Sequence, residues 1–201
     1  KSLPDAINLR NHVLHQLEAA DAALDDAERS RRLTFVFVGA GYAGVEALAE
    51  LSDLAEDALR YYPRLRSVQR RWVLVDAAPR ILPEIPPPLG DYAAAELRKR
   101  SVEIHVDTTL ESVSPDEAVL GNGALIPTNT VVWTAGVAPN PLLREWSLPL
   151  DEKGRVEVDE LLRVRGHEHV WALGDCARVP NTRSDAPDPP TCQHALRQAR
   201  R

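Results

Sequence analysis

Methionine is absent from this chain of 201 residues, and only two cysteines, Cys176 and Cys192, are present. Two cysteines without CxxC spacing exclude a disulfide framework and give no sign of a structural zinc site or a redox dithiol. That usage fits a reducing, cytoplasmic setting. With Lys1 at the start and no initiator, the chain reads as a piece of something longer. No apolar run approaches the roughly 20 residues that cross a bilayer, and no signal-peptide pattern opens the chain. Basic residues are not in excess: 24 Lys and Arg against 30 Asp and Glu leave a net charge of −6, which argues against a nucleic-acid partner. Low-complexity segments and internal repeats are lacking too. His12 and His15, and His167 and His169 around Glu168, have no further ligands converging on them, so no metal is expected. The hydrophobic content of 44% suits a globular chain with one sizeable core or two small ones.

What is there begins with Leu33-Thr34-Phe35-Val36-Phe37-Val38, an apolar run that passes directly into Gly39-Ala40-Gly41-Tyr42-Ala43-Gly44. Strand, GxGxxG and helix in that order make a dinucleotide-binding turn. Gly39 permits the tight turn, Gly41 lets the backbone approach a pyrophosphate, and Gly44 lets helix and strand pack closely. The helix N-terminus then offers unpaired N–H groups and its positive dipole end to the anion. Val45, Leu48, Ala49, Leu51 and Leu54 recur at helical spacing. The next strand, Trp72-Val73-Leu74-Val75, ends in Asp76, an acceptor for the ribose hydroxyls that favours NAD(H) over NADP(H). The separation of Gly44 from Asp76 exceeds the usual count of about 20 residues. A longer helix and a loop through Tyr61, Tyr62 and Pro63 account for it.

Elsewhere, Ser2 caps a helix with Pro4 in its first turn, burying Ile7, Val13, Leu14 and Leu17, and Asp21 to Arg32 forms an exposed, charged helix. Pro83 and Pro86 to Pro88 read as a surface loop, with a helix restarting near Gly90 and running to Arg100. Val102, Ile104 and Val106 alternate as a half-buried strand, and Gly121-Asn122-Gly123 turns a hairpin in a meander that replaces a helical crossover. Strands are expected at 131–134, 155–158 and 170–173, a proline-rich loop at 181–190, and a last helix capped by Thr191. Cys176 is expected to be a small buried residue.

Four motifs stand in one order: GxGxxGxE at 39–46, Trp133-Thr134-Ala135-Gly136-Val137, Ala172-Leu173-Gly174-Asp175-Cys176-Ala177, and Pro190-Thr191-Cys192-Gln193-His194-Ala195-Leu196-Arg197-Gln198. In this the chain resembles the pyridine-nucleotide disulfide oxidoreductase superfamily and, within it, the type II NADH dehydrogenases that pass electrons from NADH through FAD to a quinone. Gln193 and Gln198, five apart, carry the narrower resemblance; Cys192 stands where that signature has alanine. The resemblance implies an α/β fold, with a helical lead-in at 1–32, a Rossmann-like NAD(H)-binding domain at 33–145 built on a parallel sheet with a β-meander crossover, and an incomplete FAD-binding segment at 146–201.

Carried over by residue, the resemblance makes Gly39, Gly41 and Gly44 pyrophosphate contacts, Asp76 the ribose acceptor, and Ala135 and Gly136 lining of the cleft. Gly174 and Asp175 would meet FAD, as would the helix start at Thr191, Cys192 and Gln193. Glu46 would lie near the nicotinamide, with Gln193 and Gln198 toward the quinone. Glu46 as ordinary first-turn electrostatics, and Gln198 as a surface residue, are the plain alternatives. The GxGxxG that holds the ADP part of FAD in that family is absent, and so are its membrane-facing C-terminal helices. The reading is therefore an NADH-binding core whose longer parent is a peripheral membrane enzyme on the cytoplasmic face. A non-catalytic nucleotide-binding module that self-associates, or a ferredoxin or rubredoxin reductase, are the rivals.

Overall fold

Alternation inside the fully buried run Thr34–Val38, strand β1, sets the architecture. The computed structural model describes residues 2–136, 138–182, 184 and 186–200, so Val137 of the Trp133 motif and Arg183 and Asp185 of the proline-rich loop lie outside the described residues. In β1, Phe35 and Phe37 point into one core cluster, and Val36 and Val38 into another. Successive side chains on a strand face opposite ways, so one sheet supplies both cores.

Strand β1 is central in a parallel sheet of order β3-β2-β1-β7, with β2 at Arg71–Val75, β3 at Val102–His105 and β7 at Thr130–Trp133. Helices cover the first face: α1 (Leu3–Ala22) through Val13 and Leu17, α3 (Tyr42–Ala58) through Leu48 and Leu51, and α4 (Pro87–Lys99) through Ala94 and Leu97. Phe35 stacks on Trp72 there, ring centroids 4.4 Å apart. An antiparallel meander, β4 (Leu110–Val113), β5 (Glu117–Leu120) and β6 (Leu125–Pro127), joins β3 to β7 and covers the second face with Ala118, Leu120 and Ile126. The expected parallel sheet with a meander crossover is the fold found.

Compact units comprise residues 1–135 and 136–201. In the second, β8 (Val156–Glu157) pairs in parallel with β9 (Ala177–Arg178), and isolated bridges join Leu150 to Val156, Val158 to Val164 and Arg163 to Trp171. Its core is Val156, Val158, Leu162, Val164, Ala177 and Val179. Helix α5 (Cys192–Gln198) closes the chain, capped by Thr191, whose side chain accepts from the His194 N–H.

Several expectations are corrected. The helix expected near Gly90 starts at Pro87, because prolines fit a helix's first turn, where no intrahelical N–H is needed. Residues 170–173 make one bridge, Trp171 to Arg163, and no strand; the pairing extends no further into a ladder, and Trp171 is 53% exposed. Ile7 is exposed, since α1 buries only its face through Val13, Gln16, Leu17 and Ala20. The exposed helix expected over 21–32 is α2, confined to Asp26–Arg32, with α1 running on through Ala22. Cys176 is half-buried, its Sγ directed at the Leu173 carbonyl.

Candidate functional site

The glycine loop leaves β1 at the point where strand order reverses, β2 and β3 lying to one side and β7 to the other. Such switch points open a crevice at the carboxyl ends of the strands. Each glycine there answers to a different constraint. Gly39 has φ +105°, and a Cβ would lie 2.4 Å from the Ala135 nitrogen, so both the turn and the end of β7 demand glycine. A Cβ on Gly44 would lie 1.8 Å from the Gly39 carbonyl oxygen. Gly41 is unlike both. Its φ of −75° is open to any residue, and a Cβ would meet only the tip of the exposed Glu84 side chain, at 3.4 Å. Neither conformation nor packing within the unit requires a glycine at position 41. The space beside it is bounded only by the movable tip of the exposed Glu84 side chain.

Helix α3 begins beside that space without a side-chain cap or an acidic residue in its first turn. Its first N–H groups and dipole therefore remain available to an anion. Glu46 is exposed and lies one turn further in than expected, the helix starting at Tyr42, so the first-turn reading of Glu46 is corrected.

At the end of β2, Asp76 is already engaged: one carboxylate oxygen accepts from the Ala40 N–H inside the glycine loop, the other from the Ala78 N–H at 2.7 Å. Each oxygen keeps lone-pair capacity for a further donor, so Asp76 braces the loop without exhausting its acceptors. The neighbouring arginines are committed elsewhere. Arg70 binds Glu56, Arg71 binds Glu103 through two 2.8 Å bonds, and Arg80 donates to the carbonyls of Leu82, Pro83 and Ile85. Side-chain bonding to Arg71 holds the Glu103 carboxyl below its ordinary range. On the β7 side, the Thr134 and Ala135 N–H groups both donate to the Val38 carbonyl, and Trp133, 63% exposed, turns its indole N–H to the Ala135 carbonyl.

A cavity of about 750 Å³ lies along the other edge of β7, against α1, with His12, Ala47 and Thr130 among its walls. It is lined by Ala43 of the glycine loop and by Thr134, whose hydroxyl donates to the Gly39 carbonyl, but not by Gly39, Gly41 or Asp76. Within it His12 Nε2 and Thr130 Oγ1 are 2.9 Å apart, and burial pushes the His12 imidazole down from its ordinary value.

In the second unit, Gly136 takes φ +72° in open space, and Gly174, φ +71°, starts a tight turn through Asp175 and Cys176. Asp175 is exposed, as are Cys192 and Gln193, while Thr191 is half-buried with its hydroxyl 2.8 Å from His194 Nδ1. Gln198 is 4% exposed. Its Oε1 accepts from the Gly174 N–H at 2.8 Å and its Nε2 donates to Asp188 at 3.1 Å, which corrects the surface reading. Residues five apart on a helix differ by about 140° in direction, so the sequence already separates Gln193 from Gln198.

The second unit also holds a repeated loop that none of the expected motifs covers. Asp151 Oδ1 accepts from the N–H groups of Lys153 and Arg155, and Asp159 Oδ1 from those of Leu161 and Arg163, with Gly154 and Leu162 at positive φ in equivalent places. The shared spelling Asp-Glu-x-x-Arg, eight residues apart, was its signal.

A pyridine nucleotide-disulphide oxidoreductase family model matches residues 3–199. The chain belongs to that family. It is 37% identical to the type II NADH:quinone oxidoreductase NdhA of Mycobacterium tuberculosis, covering 100% of this chain and 43% of that one. It is 32% identical to a probable NADH dehydrogenase of Dictyostelium discoideum, with 99% and 44% covered. The family chain described here thus spans less than half the length of these curated relatives. The solved structure of NDH2 from Plasmodium falciparum in complex with NADH shares the fold, with a TM-score of 0.77 at 20% identity over 90% of this chain and 39% of that one. Among the described residues no helix is long and apolar enough to cross a membrane.

Proposed function

We propose that this chain is the NADH-binding core of a flavin-dependent NADH:quinone oxidoreductase. The observation that carries the reading is Gly41, whose missing Cβ serves nothing in its own unit and leaves space at an uncapped helix N-terminus. Gly39, Gly41 and Gly44 would let the backbone and the first N–H groups of α3 hold the pyrophosphate. Asp76 would accept from the adenine ribose hydroxyls, and with Arg70, Arg71 and Arg80 committed elsewhere no free guanidinium among them remains for a 2′-phosphate. NADH is therefore the expected donor. Ala135 and Gly136 would line the nicotinamide end.

FAD, when bound, supplies the hydride acceptor and relays electrons to a quinone. Toward it, the exposed carboxylate of Asp175 would accept hydroxyl hydrogen bonds, with Gly174, Thr191, Cys192 and Gln193 beside it. Gln193 would hydrogen-bond the acceptor, and Glu46, exposed on α3, would handle a proton near the nicotinamide. The segment 146–201 is read as part of an FAD-binding domain, and the longer protein as a peripheral enzyme on the cytoplasmic face of a membrane.

A second reading, a nucleotide-binding module without turnover that self-associates, is favoured by the sparse second unit, with Trp146, Leu161, Trp171 and Leu196 exposed. Both readings meet in one assay with FAD, NADH and a soluble quinone. Sustained NADH oxidation by this chain establishes the oxidoreductase and sinks the silent module. NADH binding without oxidation limits the chain to binding, and absence of NADH binding overturns both.

A further inference from the structure

Gln198 is nearly fully buried, yet both ends of its amide are used. Its carbonyl oxygen takes the N–H of Gly174, the first residue of the turn that presents Asp175, and its amino group reaches Asp188 in the proline-rich loop. Gly174 stands at φ +71°, and a Cβ there would lie 3.4 Å from the Ala195 methyl, so helix α5 lies directly on that turn. A left-handed residue followed by a single short helical turn has few internal bonds of its own. The bond from Gln198 supplies the one its first N–H lacks. Asp188 is in turn anchored by its own N–H to the Val179 carbonyl at 2.9 Å.

We infer that Gln198 is a positioning residue, a clamp that fixes the Gly174–Asp175 turn against α5 and the Asp188 loop, and that it does not contact an electron acceptor. The consequence for a cofactor rests on the flavin reading of Asp175 given above. The clamp itself does not. Gln193, exposed on another face of α5, is then the only one of the two glutamines free to meet a ligand.

The chemistry of the clamp allows a specific rescue. Gln198→Glu places a carboxylate against Asp188, so the side chain loses its donor and is repelled. Adding Asp188→Asn restores a donor on the opposite partner, and the new carboxylate can still accept from Gly174. Amide hydrogen exchange on the full chain reads both steps. In Gln198→Glu, exchange at Gly174 should quicken about tenfold, the equivalent of one lost hydrogen bond, while Gly154 and Leu162 in the same unit keep their rates. The double variant should return Gly174 to within about threefold of the starting rate. Unchanged exchange at Gly174 in the single variant overturns the clamp, as does a uniform acceleration across the unit that the second substitution fails to reverse. Asp175→Asn, assayed for FAD affinity, separates the two ideas. Weaker FAD binding with Gly174 unaltered supports the flavin reading; unaltered or undetectable FAD binding counts against that reading and leaves the clamp to be judged on Gly174.

Discussion

The two compact units satisfy their backbones by different means. In residues 1–135 a four-stranded parallel sheet pairs main chain with main chain, and alternate residues of β1 feed cores on both faces. In residues 136–201 the strands are two residues long, and Asp151, Asp159 and Gln198 accept main-chain bonds with their side chains. The difference bears on how a polar residue is interpreted. Where ladders satisfy the backbone, a conspicuous small or acidic residue at a strand end is free to face a ligand. Where side chains do that work, a conspicuous polar residue is more often structural. Asp76 stands between the cases, since it braces Ala40 and Ala78 while each carboxylate oxygen keeps capacity for a further donor.

Phe37→Ala should break the comparison most severely, because it empties a fully buried site in the sheet core; a loss of about 3–5 kcal/mol in denaturant unfolding is expected. Gly44→Ala comes next. Its Cβ would overlap the Gly39 carbonyl, which only a main-chain shift can relieve, so a loss of about 3 kcal/mol together with loss of NADH binding in titration is expected. The smallest effect belongs to the second unit. Burial acts to raise the Asp151 carboxyl, but the Arg155 N–H and guanidinium outweigh it and hold it below its ordinary value. A carboxyl depressed in the folded state adds stability above its unfolded value of about 3.9, and that stability is lost as pH falls through the folded value. Asp151→Asn should cost about 1 kcal/mol near neutrality and flatten the acid limb of the stability profile.

Legibility in the sequence followed the same division. The run from Thr34 through the glycines into α3, the strand ending at Asp76, and the meander hairpin at Gly121 to Gly123 rest on local periodicity and turn chemistry, and all took their expected form. Residues 170–173 carry the composition of a strand, but a strand needs a continuous ladder, and here pairing with the segment around Arg163 stops at a single bridge. The amphipathic pattern at the start of α1 did not show that Ile7 lies beyond the covered face. Gln198 was singled out for chemistry by its spacing from Gln193, while its burial depended on Gly174 and Asp188, which no local pattern links to it. Arg80 lies close to Asp76 in sequence, and no local pattern shows that its guanidinium caps three carbonyls of its own loop.

Asp76→Ser cannot isolate the proposed dinucleotide site cleanly, since it also removes two bonds that shape the glycine loop. Gly41→Ala can, because the added methyl meets only the movable Glu84 tip. The decisive measurement is calorimetric titration of the chain and of Gly41→Ala with NADH and with NADPH, alongside their thermal midpoints. The account predicts that NADH binds more tightly than NADPH, and that Gly41→Ala weakens NADH by about tenfold or more while shifting the midpoint by no more than about 2 °C. NADH binding to Gly41→Ala with undiminished affinity would contradict it.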